Sequence, residues 1–153
     1  MSRSPYVIEY GETFAFPVPP EQVWDAIGRV DRFEAWWSWL GDFRLDGSGL
    51  HRGAVLRGTV APPVPYRMRV QVELQDCVCP SSIDALVHGD LEGDAHLRLS
   101  PTTDGTDVTV AWTIEMMQRP MRLAARVAHP LLRWGHDRVV DMTVRSFRRQ
   151  LRG

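Results

Sequence analysis

Hydrophobic and polar positions alternate with a period of two over most of this chain. Residues 6–16 have the β-branched and aromatic composition of a strand, which Pro17 ends. The alternation is most regular in 66–75, where Met68, Val70, Val72 and Leu74 share one face and arginine, glutamine and glutamate share the other. That pattern predicts an antiparallel strand with one face toward water.

The same period predicts several further strands. Thr102-Thr103-Asp104-Gly105 is a strong hairpin-turn signal that separates the last two of them. His96 and Glu115 fall on the polar faces of their strands, so we expect both to meet solvent. The further strands lie at 43–45, 54–60, 83–91, 95–99 and 108–116.

Two short helices are predicted directly after the first strand. Pro20 suits the first turn of a helix, and Trp24 lies on the apolar face that follows, where we expect it in the core. Asp31 and Glu34 have the spacing of a capping box, which predicts a second short helix that ends at Gly41.

Apolar residues recur at helical spacing from 120 to 151. Pro130 lies inside this stretch and should kink or break the helix. A sheet with one wet face needs its other face covered, and this helix is the largest element available. We therefore predict an α+β fold, a curved antiparallel sheet gripping the C-terminal helix, with the two short helices closing one end. The expected inward stripe of the helix is Leu123, Val127, Leu131, Val139, Val140, Val144, Phe147 and Leu151.

Length, charge and composition exclude several classes of protein. The 153 residues suit one domain, 1–153, and the net charge of −1 gives no general attraction to nucleic acid. No apolar run is long enough for a secretory leader or a membrane span, so we expect a cytoplasmic protein without integral membrane association. Cys77 and Cys79 are expected to be free thiols. The histidines lack metal-ligand spacing and no glycine-rich phosphate loop is present, so neither a metal nor a cofactor is expected.

Two segments carry a family resemblance. Residues 17–37 read P-V-P-P-E-Q-V-W-D-A-I-G-R-V-D-R-F-E-A-W-W, which resembles the START-like (SRPBCC) superfamily. Residues 129–142 read H-P-L-L-R-W-G-H-D-R-V-V-D-M and resemble the last helix of its polyketide cyclase/dehydrase-like branch. The resemblance implies a helix-grip fold with a hydrophobic cavity between the sheet and the long helix. It carries over no catalytic residue, because these differ between branches.

The candidate ligand-binding residues come from three places: the tryptophan-rich segment, the inner sheet face and the inner face of the long helix. Two of the tryptophans at 36, 37 and 39 should face the sheet or the cavity mouth, since one short helix cannot bury all three. The alternative is that these side chains simply fill the core. The candidates are Trp36, Trp37, Met68, Val70, Val72, Trp112, Ile114, His136 and Val140.

His136 is the one weak catalytic candidate. Its spacing from Leu132 and Val140 places it near the inward stripe of the helix, where it would orient a ligand oxygen or act as a general acid or base. The alternative is a hydrogen-bonded structural histidine. Asp137 is not an expected partner, because adjacent helix residues point about 100° apart.

The leading functional hypothesis is binding of a hydrophobic or aromatic small molecule, lipid-like or polyketide-like, in the internal cavity. The alternative is a polyketide cyclase or dehydratase acting in the same cavity, and a regulatory module with a vestigial pocket is a third. The basic and apolar stretch 120–133 suits either helix packing or a membrane surface. A homodimer through the sheet edge or the tryptophan-rich end is a further hypothesis.

Overall fold

The computed structural model describes residues 6–47, 49–62 and 67–152 of the chain. Its strands are β1 (Val7–Phe16), β2 (Leu40–Asp46), β3 (Val55–Val60), β4 (Met68–Val78), β5 (Ser82–Gly89), β6 (Leu91–Pro101) and β7 (Thr106–Met116). Its helices are α1 (Pro20–Ile27), α2 (Phe33–Trp36) and α3 (Arg119–Arg152), and a 3-10 turn (Val30–Arg32) precedes α2.

The seven strands form one antiparallel sheet in the order β1-β7-β6-β5-β4-β3-β2. Strands β2 to β7 follow one another in chain order, so short connections suffice. β1 forms the edge of the sheet opposite β2. It pairs with β7 along its whole length, from Val7 opposite Glu115 to Phe16 opposite Thr106. The predicted hairpin turn is confirmed, since the Thr102 amide donates to the Gly105 carbonyl at 2.8 Å. The predicted fold class is confirmed.

The predicted strand 83–91 extends past its observed end, because a turn at Gly89 and Asp90 divides it. Gly89 has φ +110°, and a Cβ there would overlap the carbonyl oxygen of Arg69, so only glycine fits this position. Asp90 fixes the turn, because its carboxylate accepts the Arg69 amide at 2.8 Å. β5 therefore ends at Gly89, and Leu91 already belongs to β6.

The second short helix differs from its prediction. No side chain caps the 3-10 turn or α2, and Gly41 lies in β2 instead of ending a helix. Glu34 does not reach back to the helix start, because its carboxylate accepts the Phe43 amide at 2.5 Å. Trp37 is extended, with φ −126° and ψ 107°. The contact of Glu34 with β2 therefore takes the place of the capping box, and α2 is one turn long.

The long helix α3 is broken where the sequence predicted a kink. Ala128 has φ −137° and ψ 43°, which separates a segment 119–127 from a segment 129–152. Pro130 then falls in the first turn of the second segment, where its missing N–H and fixed φ are tolerated. The kink is confirmed.

The predicted inward stripe is wrong in the first half of α3. Leu123, Val127 and Leu131 are exposed, and Met121 and Leu132 are buried in their place. The stripe assumed one continuous helix, but the break at Ala128 ends the regular repeat that linked these positions to the second segment.

The described core has two clusters of buried residues, which lie toward opposite ends of the strands. Trp24, 8% exposed, is in the core as predicted. The first cluster includes Phe16, Val23, Trp24, Leu74 and Phe147, and the second includes Ile8, Met68, Met116, Met121 and Leu132. Side chains from both clusters also line a cavity between the sheet and α3.

Candidate ligand-binding cavity

A cavity of about 540 Å³ lies between the inner face of the sheet and α3. This volume falls within the range of about 300–1,000 Å³ that is typical of small-molecule sites. Its lining comes from β1, from β3 to β7, from α1 and from α3, together with Phe33, Trp37 and Trp39 in and after α2. Among the described residues that line it, His136 alone has a titratable side chain. The site is therefore an apolar chamber.

The structure brings eight of the nine candidate residues together around this cavity. On the sheet, each sits at an inward position of a period-two strand, as the alternation predicted. Their role in binding a ligand stays a prediction. The eight are Trp37, Met68, Val70, Val72, Trp112, Ile114, His136 and Val140.

Trp36 does not line the cavity. Its ring packs edge-on against Phe147 at 6.2 Å between centroids, and its carbonyl accepts the Ser146 hydroxyl at 2.6 Å. It lies in a separate surface cleft with Arg145 and Arg149 at the end of α3. The one-turn length of α2 causes this, because Trp36 is still helical while Trp37 is extended and its side chain leaves in another direction.

Trp37 and Trp39 form a parallel stack beside the cavity. Their ring centroids are 5.6 Å apart with 13° between the planes, and Phe33 packs on Trp37 at 4.6 Å. The Trp37 indole N–H donates to the Thr143 carbonyl of α3 at 3.3 Å, which ties this segment to the helix. The Trp39 indole nitrogen is buried and has no hydrogen-bond partner among the described residues.

Further lining residues lie outside the nine candidates, although the alternation had placed them on the inward faces of their strands. Val108 and Val110 precede Trp112 at period two, and Ala95 and Leu97 alternate in the same way on β6. The pattern marked these positions as inward but did not show how much of the inward face borders a void. That distinction depends on where α3 crosses the sheet.

His136 is held at both ring nitrogens. Its Nε2 accepts the Trp112 indole N–H at 2.9 Å, and its Nδ1 lies 2.9 Å from Asp137 Oδ1. An ionised carboxylate only accepts, so Nδ1 carries the proton of the neutral ring. The expectation that Asp137 would not be a partner is therefore wrong, because the ring edge reaches the adjacent carboxylate across the helix surface.

Tyr10 of β1 completes an aromatic group around this histidine. Its ring stacks on Trp112 at 4.8 Å and meets the His136 ring edge-on at 5.1 Å. Burial raises the pKa of the Tyr10 hydroxyl, and the nearby Glu12 and Asp137 charges add to that shift. Nothing in the local sequence pairs Tyr10 with the helix, because the contact joins residues far apart in the chain.

Burial lowers the pKa of His136, and the hydrogen bond to Asp137 opposes this only in part. The side chain is 11% exposed. A neutral imidazole whose lone pair already accepts from Trp112 offers no free acceptor to a substrate proton. The geometry favours a structural role, in which His136 anchors α3 to β7, and a catalytic role stays a prediction.

A charged cluster occupies the opposite, outer face of the sheet. His96 is 42% exposed, as predicted, and its two ring nitrogens lie 2.7 Å from Asp84 Oδ1 and 2.7 Å from Asp94 Oδ2. These hydrogen bonds raise the pKa of His96, while bonds from His96 and Arg98 lower the pKa of Asp84. The cluster is separated from the cavity by the sheet itself.

Glu115 is half-exposed on the outer face of β7, with its carboxylate 3.6 Å from Arg122. A partly exposed ion pair of this kind contributes little to stability. The half-exposed carboxylate confirms the expectation that Glu115 meets solvent.

An antiparallel sheet that grips a long C-terminal helix around an apolar cavity defines a helix-grip domain. Residues 8–152 match the family model described as "Polyketide cyclase / dehydrase and lipid transport", and the chain belongs to this family. The resemblance seen in the sequence is thereby confirmed. No curated protein matches the chain.

Several solved structures share the fold at low sequence identity, and at these identities the likeness shows the fold alone. Ara h 8.0201 is 13% identical, with 95% of this chain and 97% of that chain covered and a TM-score of 0.65. A conserved protein from Geobacillus kaustophilus is 12% identical, with 94% and 95% covered and a TM-score of 0.75. The di-domain ARO/CYC StfQ of the steffimycin biosynthetic pathway is 11% identical, with 94% of this chain and 50% of that chain covered and a TM-score of 0.71.

Proposed function

We propose that the protein binds a hydrophobic small molecule, aromatic or lipid-like, in the cavity between the sheet and α3. The observation that carries this proposal is a chamber of about 540 Å³ with almost wholly apolar walls. Side chains that line an empty void lose dispersion contacts, and an apolar ligand restores them. The family description, which names polyketide chemistry and lipid transport, agrees with a ligand of this class.

The polar groups of the walls indicate what part of the ligand enters. Thr143 donates its hydroxyl to the Val139 carbonyl at 2.7 Å, Trp37 donates to the Thr143 carbonyl, and both nitrogens of His136 are engaged. The Trp39 indole N–H has no partner among the described residues, but one neutral donor cannot balance a full charge, and burying an unpaired charge is very unfavourable. We therefore expect the enclosed part of the ligand to be neutral and held by shape and apolar contact.

The second candidate is a cyclase or dehydratase acting in the same cavity. The family description favours it, and the cavity would then fold the substrate and exclude water. The engagement of His136 by Trp112 and Asp137 argues for binding over proton transfer by this residue. A lower rate of turnover of an aromatic polyketide substrate by His136→Phe, with an unchanged rate in folded variants outside the cavity, would favour the enzyme over the binding protein.

The test uses the neutral apolar dye N-phenyl-1-naphthylamine and a matched pair of variants. Ala95 and Ala111 lie on the neighbouring strands β6 and β7, but Ala95 lines the cavity and Ala111 lines a depression on the outer face. Ala95→Phe should fill part of the cavity and weaken dye binding about tenfold or more, a loss of about 1.4 kcal/mol. Ala111→Phe should bind the dye as the wild type does.

Circular dichroism and urea unfolding establish that both variants fold, and Val70→Phe fills the same cavity from β4 if Ala95→Phe does not. Equal affinity of the folded cavity variant and the wild type would contradict the proposal. So would a wild-type protein that binds neither the dye nor any member of a lipophile panel.

The remaining expectations about the setting of this function belong to the same proposal. Two free thiols, Cys77 and Cys79, suit a reducing compartment, which supports the cytoplasm. The near-neutral net charge of −1 supports a small-molecule partner over nucleic acid. A homodimer stays a prediction, to be tested by sedimentation equilibrium.

A further inference from the structure

Four large apolar side chains of α3 face solvent. Leu123 and Val127, four residues apart on the first segment, are 63% and 79% exposed. Leu131 and Trp134, three apart on the second segment, are 52% and 51% exposed. Residues at these spacings share one face of a helix, so each segment presents an apolar pair outward. Grouped exposure of this kind, unlike single scattered apolar residues, marks an interaction surface. We call these four residues the apolar face of α3.

Arginine supplies all the Asp, Glu, Lys or Arg charge within the stretch 116–136 that carries the apolar face, and Asp137 follows that stretch three residues after Trp134. Between residues 116 and 136 the sequence has four arginines and no aspartate or glutamate, although the whole chain carries 18 basic and 19 acidic residues. Arg119 and Arg126 are exposed, and neither forms an ion pair with another described residue. Their guanidinium groups are therefore available to an anionic partner beside the apolar face.

The other two arginines are partly engaged at the rim of the sheet. Arg122 lies over the Tyr6 ring at 4.1 Å, with Glu115 3.6 Å away. Arg133 donates to the Glu9 carbonyl at 2.9 Å, and its Nε lies 3.5 Å from Asp137. These contacts hold the two segments of α3 to β1 and β7 and leave Arg119 and Arg126 as the outward charges.

We propose that the apolar face of α3 docks on the surface of a bilayer that contains anionic lipid. Leucine, valine and tryptophan flanked by arginine form the pattern of a helix that lies in the membrane interface, with its apolar side chains among the acyl chains and its cations at the headgroups. Tryptophan favours this depth because its ring is apolar and its N–H is polar. No helix of the described residues is long and apolar enough to cross the bilayer, so the contact is with the surface.

The same two helix segments carry the cavity wall on their opposite face. Met121 and Leu132 line the cavity, and each is close in sequence to an outward residue, Leu123 and Leu131 respectively. A docked α3 therefore stands between the bilayer and the cavity. Docking itself requires no cavity ligand, so its failure would leave the proposed function standing.

The test is sedimentation of the full chain with sucrose-loaded vesicles. One set contains phosphatidylcholine alone, and the other contains equal parts of phosphatidylcholine and phosphatidylglycerol. We expect binding to the anionic set only, weakened by added salt because exposed charges are screened. Each basic residue near an anionic surface contributes about 1 kcal/mol, so Arg119→Glu with Arg126→Glu should weaken binding about tenfold or more.

Two further double variants complete the design. Leu123→Ser with Leu131→Ser keeps every charge and should also weaken binding about tenfold, because the apolar contact is lost. Arg44→Glu with Arg52→Glu changes the net charge by the same amount at exposed positions of β2 and the loop after it, and should bind as the wild type does.

Three results would overturn the proposal. The first is equal sedimentation with both vesicle sets, and the second is an equal loss in the control at Arg44 and Arg52. The third is a dimer in sedimentation equilibrium that Leu123→Ser with Leu131→Ser dissociates, since a second copy would then cover the face. If a double variant fails to fold, a fluorescence experiment with brominated phosphatidylcholine in the anionic vesicles takes its place. Bromine should quench the tryptophan fluorescence of the wild type, and Trp134→Phe should remove most of that quenching. Quenching that is unchanged in Trp134→Phe would contradict docking through this face.

Discussion

Replacing His136 by phenylalanine tests the hydrogen bond that joins α3 to β7. The ring is retained, but the Trp112 indole N–H loses its acceptor at 2.9 Å, and the loss occurs beside a cavity with apolar walls. A buried donor left without a partner costs about 1–3 kcal/mol. For a chain of this length each kcal/mol lowers the melting temperature by about 2–4 °C. Thermal and urea unfolding of the variant measure the cost.

A double-mutant cycle with Trp112→Phe isolates the bond itself. Trp112→Phe removes the donor, so His136→Phe should cost less in that background than in the wild type. Residues in direct contact typically couple by about 0.5–3 kcal/mol. Costs that add within about 0.5 kcal/mol would refute the reasoning, because the two side chains would then contribute independently.

The pH dependence of the same variant follows from the lowered pKa of His136. The unfolded chain takes up this proton at a higher pH than the native protein does, so stability rises with pH in the interval between the two pKa values. The contribution of the neutral ring is present above the unfolded pKa and is lost as pH falls through the folded pKa. His136→Phe should lose less stability than the wild type on acidification. An equal change of the unfolding free energy with pH in the two proteins, measured by urea unfolding at each pH, would contradict this.

Two further predictions concern the tryptophan stack and the outer face. Trp37→Phe should cost about 1 kcal/mol more than Trp39→Phe in urea unfolding, because the Trp37 N–H donates to a carbonyl and the buried Trp39 N–H has no partner among the described residues. Equal costs would contradict it. The carboxylates beside His96 raise its pKa in the folded state, so its contribution is present below the unfolded pKa and is lost as pH rises through the folded pKa. In urea unfolding the wild type should lose more stability than His96→Gln across that interval, and identical pH profiles would contradict this.

The strands and their inward faces were predictable because they depend on local alternation. Met68, Val70 and Val72 were placed inward by period two alone, and all three line the cavity. The break near Pro130 was predictable for a similar reason, since proline lacks the N–H that a continuous helix needs.

Contacts between distant residues were not predictable. The capping box predicted a local partner for the Glu34 carboxylate, which instead accepts from the Phe43 amide. The helix α2 has a single turn, and Trp36 lies outside the cavity lining. His136 meets Trp112 because β7 and α3 cross at that point. No periodicity within one segment specifies such a crossing.

The sequence by itself determined the order of elements, the inner face of each strand and the family. The tertiary structure decided which inward residues border a void, which partners hold His136, and which face of α3 meets solvent. Leu123 and Leu131 show the reason: helical spacing groups apolar residues on one face, but the direction of that face depends on how the broken helix packs against the sheet. Spacing is a property of the segment, whereas packing is a property of the whole chain.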